Sequence, residues 1–347
     1  MAFVADLNRR RAEKWTAERA EAGEPAARTV NAHIAALTAF GNWCVETHRL
    51  TANPFARMPK LDERADCRHG RRALDDDELR RLLKAARLRP LAEYGRQTIH
   101  LPEAEQRNDK KSRRTWKKES LTPANLNAAA GRGRQALSSN STLVAELERR
   151  GRERELIYTT PVLTGLRKGE LASLTVGSLD LDSSPAYATV SAAAEKARRG
   201  ADVPLRDDLA VELRQWLDEK LEARRSQARA TGGPLPAKLP PDVKVFDVPT
   251  AADKVFSRDR DAAGILKVDD RGGFVDLHAL RHTFGSHLSR GGVAPRTAYA
   301  AMRHGSLDLT MQHYTDSRLL DVVGSLDVSP MLISQSKNTN QNRDRNS

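Results

Sequence analysis

Only two cysteines occur in the 347 residues, Cys44 and Cys67, and their spacing matches neither a zinc ribbon nor a dithiol redox pair. Cys44 lies in an apolar helical stretch and reads as core. Long hydrophobic runs are missing too. The chain begins MAFVADLNRRRAEKW, with charge where a secretory signal needs an apolar segment. No window approaches the ~18 apolar residues of a membrane span. These absences point to a soluble, cytoplasmic protein with no membrane partner. There is no internal repeat and no HExxH motif, so the common helical zinc-hydrolase pattern is excluded.

What the chain does have is positive charge. Fifty-eight Lys and Arg stand against 46 Asp and Glu, a formal net charge of +12, within an ordinary 39% hydrophobic and 30% charged composition. Such an excess is either a solvated basic surface or the mark of a polyanionic partner, because each Lys or Arg on a phosphate releases condensed counterions. The length suggests two domains with ample core.

Residues 9–22 read as a polar helix ending near Gly23-Glu24-Pro25. Thr29 is placed to cap a second helix with the apolar face Ile34, Leu37, Phe40/Gly41, Cys44. That helix frays at His48-Arg49, and Asn53-Pro54 marks a turn. The domain expectation is a helical unit over 1–61, a hydrophilic linker over 62–73, a larger domain over 74–330 and a disordered polar tail over 331–347. Asp75 and Glu78 form a capping-box pattern opening a helix to Arg87. Residues 89–142 read as a basic insertion. Its run Lys110, Lys111, Arg113, Arg114, Lys117 and Lys118, with Trp116, either follows a phosphate backbone or is a solvated loop. Residues 131–141 read as further loop, followed by a helix from Leu143 to Arg150.

Beyond Glu155 the pattern sharpens. A buried helix over Leu156–Leu163 leads into TGLRKGEL; strands at Ala186–Val190 and Asp202–Leu205 form a hairpin; Leu209–Arg225 is amphipathic. Helices follow near Ala251–Ala263 and Leu277–Ser289, then a Gly291-Gly292 stop and a helix opened by Pro295. Four segments carry residues suited to chemistry: Arg167 after a Thr-Gly turn, HALRHTFGSHL with His278, Arg281 and His282, then His304, then Tyr314. Each alone has an ordinary explanation as surface charge, structural histidine or core tyrosine.

In this order, TGLRKGEL, a Lys-bearing hairpin, HALRHTFGSHL, Arg303-His304 and TMQHYTD closely resemble the tyrosine recombinase (phage integrase) family. The resemblance covers 155–325, and more weakly TVNAHIAALTAFGNWCVETHRLTANPF, which looks like the end of the family's helical core-binding domain. It implies a mainly α protein with a small β-sheet or hairpin: a tyrosine-recombinase catalytic domain preceded by a small core-binding domain. By resemblance the six reacting positions fall on Arg167, Lys196, His278, Arg281, His304 and Tyr314. Arg198 and Arg199 share the turn with Lys196, and periodicity does not choose among them. Glu170 and His282 are expected to buttress the arginines, with plain helix capping as the other reading of Glu170. Two departures from the commonest pattern stand out. Arg303 occupies a position that is usually Gly, and the His304-to-Tyr314 gap is one residue longer than usual. Only about two helices fit before Asn53, fewer than the family's usual four or more, so the first domain reads as abbreviated or as lacking a preceding helix.

The resemblance implies cofactor-free DNA transesterification by a tetramer on a specific double-stranded site. Two guanidiniums suit the non-bridging phosphate oxygens, being forked and permanently charged. Tyr314, with an ordinary pKa of about 10, needs its proton removed. His278 is the implied base, Lys196 the acid for the leaving oxygen, and His304 a further donor. Neither a metal nor a small-molecule cofactor is expected. The alternatives are type IB topoisomerase-like relaxation, an inactive DNA-binding relative, and a basic helix-turn-helix regulator. A zinc site on His278 and His282, four apart, lacks the accompanying Glu or Cys ligands.

Overall fold

The computed structural model describes residues 7–63, 65–66, 70–101, 107–109, 112–193 and 200–303, with backbone alone for 107–109 and 112–114. The chain divides into two compact units, Met1–Gly70 with Asp269–Gly273, and Arg71–Val268 with Phe274–Ser347.

In the first unit, α1 (Arg9–Ala22) is capped by Asn8, whose side chain accepts from Arg10 N, and ends at left-handed Gly23. α2 (Ala27–Glu46) starts two residues before Thr29, which therefore does not cap it. The carboxylate of Asp66, 39 positions away, accepts from Ala27 N at 2.6 Å instead. Val30, Ile34, Phe55 and Met58 form the small core, with Trp15 and Leu37 packed on it. Phe40 is 42% exposed, so Gly41 rather than Phe40 continues the buried row. Gly41 is needed there, because a Cβ would fall 2.0 Å from Asn53 Oδ1.

The second unit opens with α3 (Asp76–Ala92), whose capping box between Asp75 and Glu78 is formed in both directions. It runs past the expected end at Arg87, carrying Pro90 in its last turn. The basic run is not a loop where it is described. β1 (Thr98–His100), β2 (Arg107–Asp109), β3 (Ser112–Arg114) and β4 (Trp116–Lys118) pair antiparallel as β1–β4 and β2–β3. The base of β4 is held by Glu119, which accepts from Arg132 at 2.6 Å and Asn125 at 3.3 Å.

α4 (Leu126–Ala136) replaces the loop expected from residue 131. Gly133 on this helix and Gly95 after α3 are contact points rather than breakers. A Cβ on Gly133 would sit 2.2 Å from Leu91 O, and one on Gly95 1.9 Å from Ala129 O. α5 (Ser141–Thr164) is one helix where two were expected, continuous through Gly151. The short α6 (Lys168–Ser173) precedes a three-stranded antiparallel sheet of β5 (Leu179–Asp180), β6 (Tyr187–Val190) and β7 (Ala201–Pro204) in that order, one strand more than the hairpin. α7 (Asp207–Thr231), α8 (Ala252–Ala262), α9 (Ala279–Arg290) and α10 (Pro295–Met302) complete the described chain. A single core runs from Leu74 and Leu82 on α3 through Leu156 and Tyr158 on α5 to Trp216, Phe256 and Leu280. The fold is mainly helical with small antiparallel sheets. Among the described residues, no helix is long and apolar enough to cross a membrane.

Candidate active site

The site is built where α5 stops. Gly165 takes the left-handed conformation at φ 67 and donates its N–H to Pro161 O at 2.9 Å. A side chain would also collide with Phe284, whose ring lies 2.6 Å from where a Cβ would stand, so only glycine permits this reversal. The chain then runs through buried Leu166 to Arg167, which is extended and caps α6. Glu170 reaches back: Oε2 accepts from Arg167 N at 2.9 Å and Oε1 from Arg167 Nη1 at 2.7 Å. Glu170 thus both caps the helix and buttresses the guanidinium. Burial pushes its carboxyl upward, but the Arg167 hydrogen bonds and the charges of Arg303 and Arg167 outweigh that and hold it below its ordinary value.

α9 supplies the second half. Asp276 Oδ1 accepts from Ala279 N at 3.0 Å, fixing the helix start beside His278. One turn on, Arg281 is 1% exposed and donates from Nη1 to Gly165 O, 116 positions earlier, and from Nη2 to Met302 O. Arg167 Nη2 in turn donates to Arg303 O at 3.3 Å. The two arginines singled out in the sequence therefore meet around one glycine turn and the end of α10.

His278 is half-buried beside them. Burial, then the charges of Arg71 and Arg281, lower its pKa to about 4, Asp276 opposing and Arg167 adding slightly. It is a neutral imidazole at pH 7. His282 is buried one turn further along α9. His278 and Arg281 line a cavity of about 330 Å³ that also includes Arg71, Lys168, Asp253 and Asp276, floored by Ile157, Pro161, Leu166 and Leu277. Arg71 forks onto Asp276 at 2.9–3.0 Å, and Lys168 pairs with Asp253 at 2.7 Å.

Lys196, His304 and Tyr314 lie outside the described residues, as do Lys110 and Lys111 and the tail from 331. Arg113 and Arg114 lie on β3, and Lys117 and Lys118 on β4, where Lys118 Nζ donates to Arg96 O at 3.2 Å. That bond does not join the arginine cluster. Three contributors were not legible in the sequence: Arg71, Asp276 and the side chain of Arg303. The Arg71–Asp276 pair spans 205 positions, which no local pattern reports.

A model of the phage integrase family matches residues 141–319. Among solved structures, a lambda integrase fragment (75-356), described as a dimer bound to a COC' core site, has 16% identity. It covers 91% of this chain and 82% of that one with a TM-score of 0.51. A XerA recombinase has 16% identity, covering 94% and 83%, with a TM-score of 0.41. A Tn1549 transposon integrase (aa 82-397, Y379F), described in complex with transposon right end DNA, has 15% identity, covering 91% and 83%, with a TM-score of 0.47. No curated protein matches the sequence. At such identity the lambda integrase likeness speaks to the fold. The family match spans more than half of the 347 residues, and the chain belongs to the phage integrase family.

Proposed function

We propose that this protein is a tyrosine recombinase that cuts and rejoins double-stranded DNA at a specific site through Tyr314. The observation that carries the reading is the meeting of Arg167 and Arg281 at the Gly165 turn. Arg281 is held through both terminal nitrogens by the carbonyls of Gly165 and Met302. With Arg167 alongside, the two permanently charged, forked guanidiniums suit the non-bridging oxygens of a phosphodiester. Donors fixed in advance where charge develops contribute roughly 3–4 kcal/mol apiece in comparable oxyanion sites. The carbonyl contacts supply that fixing.

In this mechanism Tyr314 Oη attacks phosphorus as His278, already neutral, takes its proton. Lys196 protonates the departing 5′-oxygen, and His304 donates a further hydrogen bond to the phosphate. The products are a 3′-phosphotyrosine and a free 5′-hydroxyl, and the reverse attack on a partner strand completes exchange. The ester bond is conserved in the protein–DNA link, so no ATP is consumed. The proposed assembly is a tetramer on DNA, with the +12 charge supporting the polyanionic partner.

The test is a nicked suicide duplex carrying the target site. The wild-type chain is expected to form an adduct that survives a denaturing gel. Tyr314→Phe is expected to bind equally and form none, and an adduct from that variant would overturn the assignment. Relaxation of supercoiled plasmid without a paired site would favour the topoisomerase reading instead.

A further inference from the structure

Arg303 follows the last residue of α10 and has φ 51, ψ 49, the left-handed region in which any Cβ is disfavoured. An arginine is nevertheless held there with its side chain turned inward, 9% exposed. Its Nη2 donates to Glu170 Oε2 at 2.9 Å, the oxygen that also accepts from Arg167 N. Nη1 and Nη2 lie 3.5 and 3.4 Å from the carbonyls of Thr164 and Gly165, and the Arg303 carbonyl accepts from Arg167 Nη2. Both ends of this residue therefore face the group that holds Arg167.

Charge makes the arrangement consequential. Glu170 is 1% exposed, and a carboxylate so buried takes a full counter-charge where it can. With Arg167 as its only cationic partner, the two would form a neutral pair, and the charge needed by a phosphate would be spent inside the protein. A second guanidinium on the same carboxylate leaves one positive charge over.

We infer that Arg303 is a positioning residue that satisfies Glu170 and so keeps the charge and the terminal nitrogens of Arg167 available to the DNA phosphate. The inference rests on the reading of Arg167 as a phosphate contact.

Arg303→Gly tests it, because glycine accepts the left-handed backbone and keeps the carbonyl; Arg303→Asn, which also tolerates that conformation, serves if the glycine variant melts early. With DNA saturating, adduct formation is expected to slow about tenfold, which is ~1.4 kcal/mol of transition-state stabilisation. Arg303→Lys, which restores the charge, is expected to recover to within about threefold of wild type. Adding Glu170→Gln to Arg303→Gly should not slow the reaction further, because it removes the charge that Arg303 answers. A wild-type rate in Arg303→Gly, or independent losses from the two substitutions, would overturn the inference while leaving the recombinase reading intact. No adduct from the wild type would overturn the recombinase reading instead. The crystal structure of Arg303→Gly then decides the positioning role by itself. Arg167 is expected to leave the carbonyl of residue 303 and fork onto both oxygens of Glu170; an unchanged Arg167 would refute it.

Discussion

At the scale of single residues, the surroundings of His278 set the charge that it can carry. Burial, and after it the charges of Arg71 and Arg281, depress the imidazole to about 4. An unfolded chain would protonate this histidine near its ordinary 6.5, so between 6.5 and 4 the unfolded state binds a proton that the fold refuses. The stability that His278 contributes is therefore complete above 6.5 and declines as pH falls toward 4. Urea melts over this window are expected to show the decline, and His278→Gln to flatten it; an equal slope in both proteins would contradict the buried neutral imidazole. Bound phosphate adds a negative charge beside the ring and should raise its pKa. On pre-bound DNA, the acid limb of cleavage is accordingly expected above 4 and to vanish with His278→Gln.

At the scale of elements, glycine position decides how the helices of the second unit meet. Gly151 lies mid-way along α5, and a Cβ there would fall 1.9 Å from Arg87 O on α3. Alanine gains about 1 kcal/mol of helix propensity. It also meets backbone that cannot swing aside, and overpacking of this kind costs about 1–3 kcal/mol. Gly151→Ala is expected to lower the stability read from urea unfolding, and a gain would refute the close crossing. Buried charge ties the same helices to α8. Asp259 is wholly buried and accepts from Arg89 at 2.5 Å, Tyr158 at 2.7 Å and Arg154 at 3.2 Å. Asp259→Asn takes the carboxylate from Arg154 and leaves Arg89 to Glu93 at 3.2 Å, so the cost should stay below the ~3–5 kcal/mol of a fully broken buried pair. These contacts also mark what is legible in the sequence. The turn at Gly165, the α9 residues and the Pro295 start are local, so their spacing shows there. Gly133 looks like loop because a contact glycine and a breaker are the same letter. Asp66 capping α2 in place of Thr29, and Arg71 pairing with Asp276, act across long separations that periodicity does not carry. The left-handed backbone at Arg303 is set by the end of α10, so its inward guanidinium has no sequence signal.

At the scale of the whole molecule, a charge of +12 makes DNA affinity a question of salt as much as of contacts. The strand pairs within residues 98–118 give the basic run a definite form. β1 and β4 are joined through the register Thr98↔Lys118 to His100↔Trp116, and Trp116 is 56% exposed against His100 at 4.9 Å. A ribbon with Thr98, Ile99 and His100 all exposed covers no core, and two strands alone are marginal in water. Its clamp through Glu119 to Arg132 indicates that its placement matters. If it lies along a phosphate backbone, replacing Arg113, Arg114, Lys117 and Lys118 with Gln should flatten the plot of log K against log salt by about 0.9 for each phosphate no longer neutralised. Lys118 also bonds to Arg96 O, so bare affinity would mix a loosened ribbon with weaker hold on the phosphates. The slope separates them, since loosening shifts affinity at every salt concentration whereas fewer neutralised phosphates change the dependence. Titrations at several salt concentrations with the variant and the wild type make the measurement. An unchanged slope would mean that the ribbon faces solvent when DNA is bound, and the surplus charge would then have to act from elsewhere on the protein.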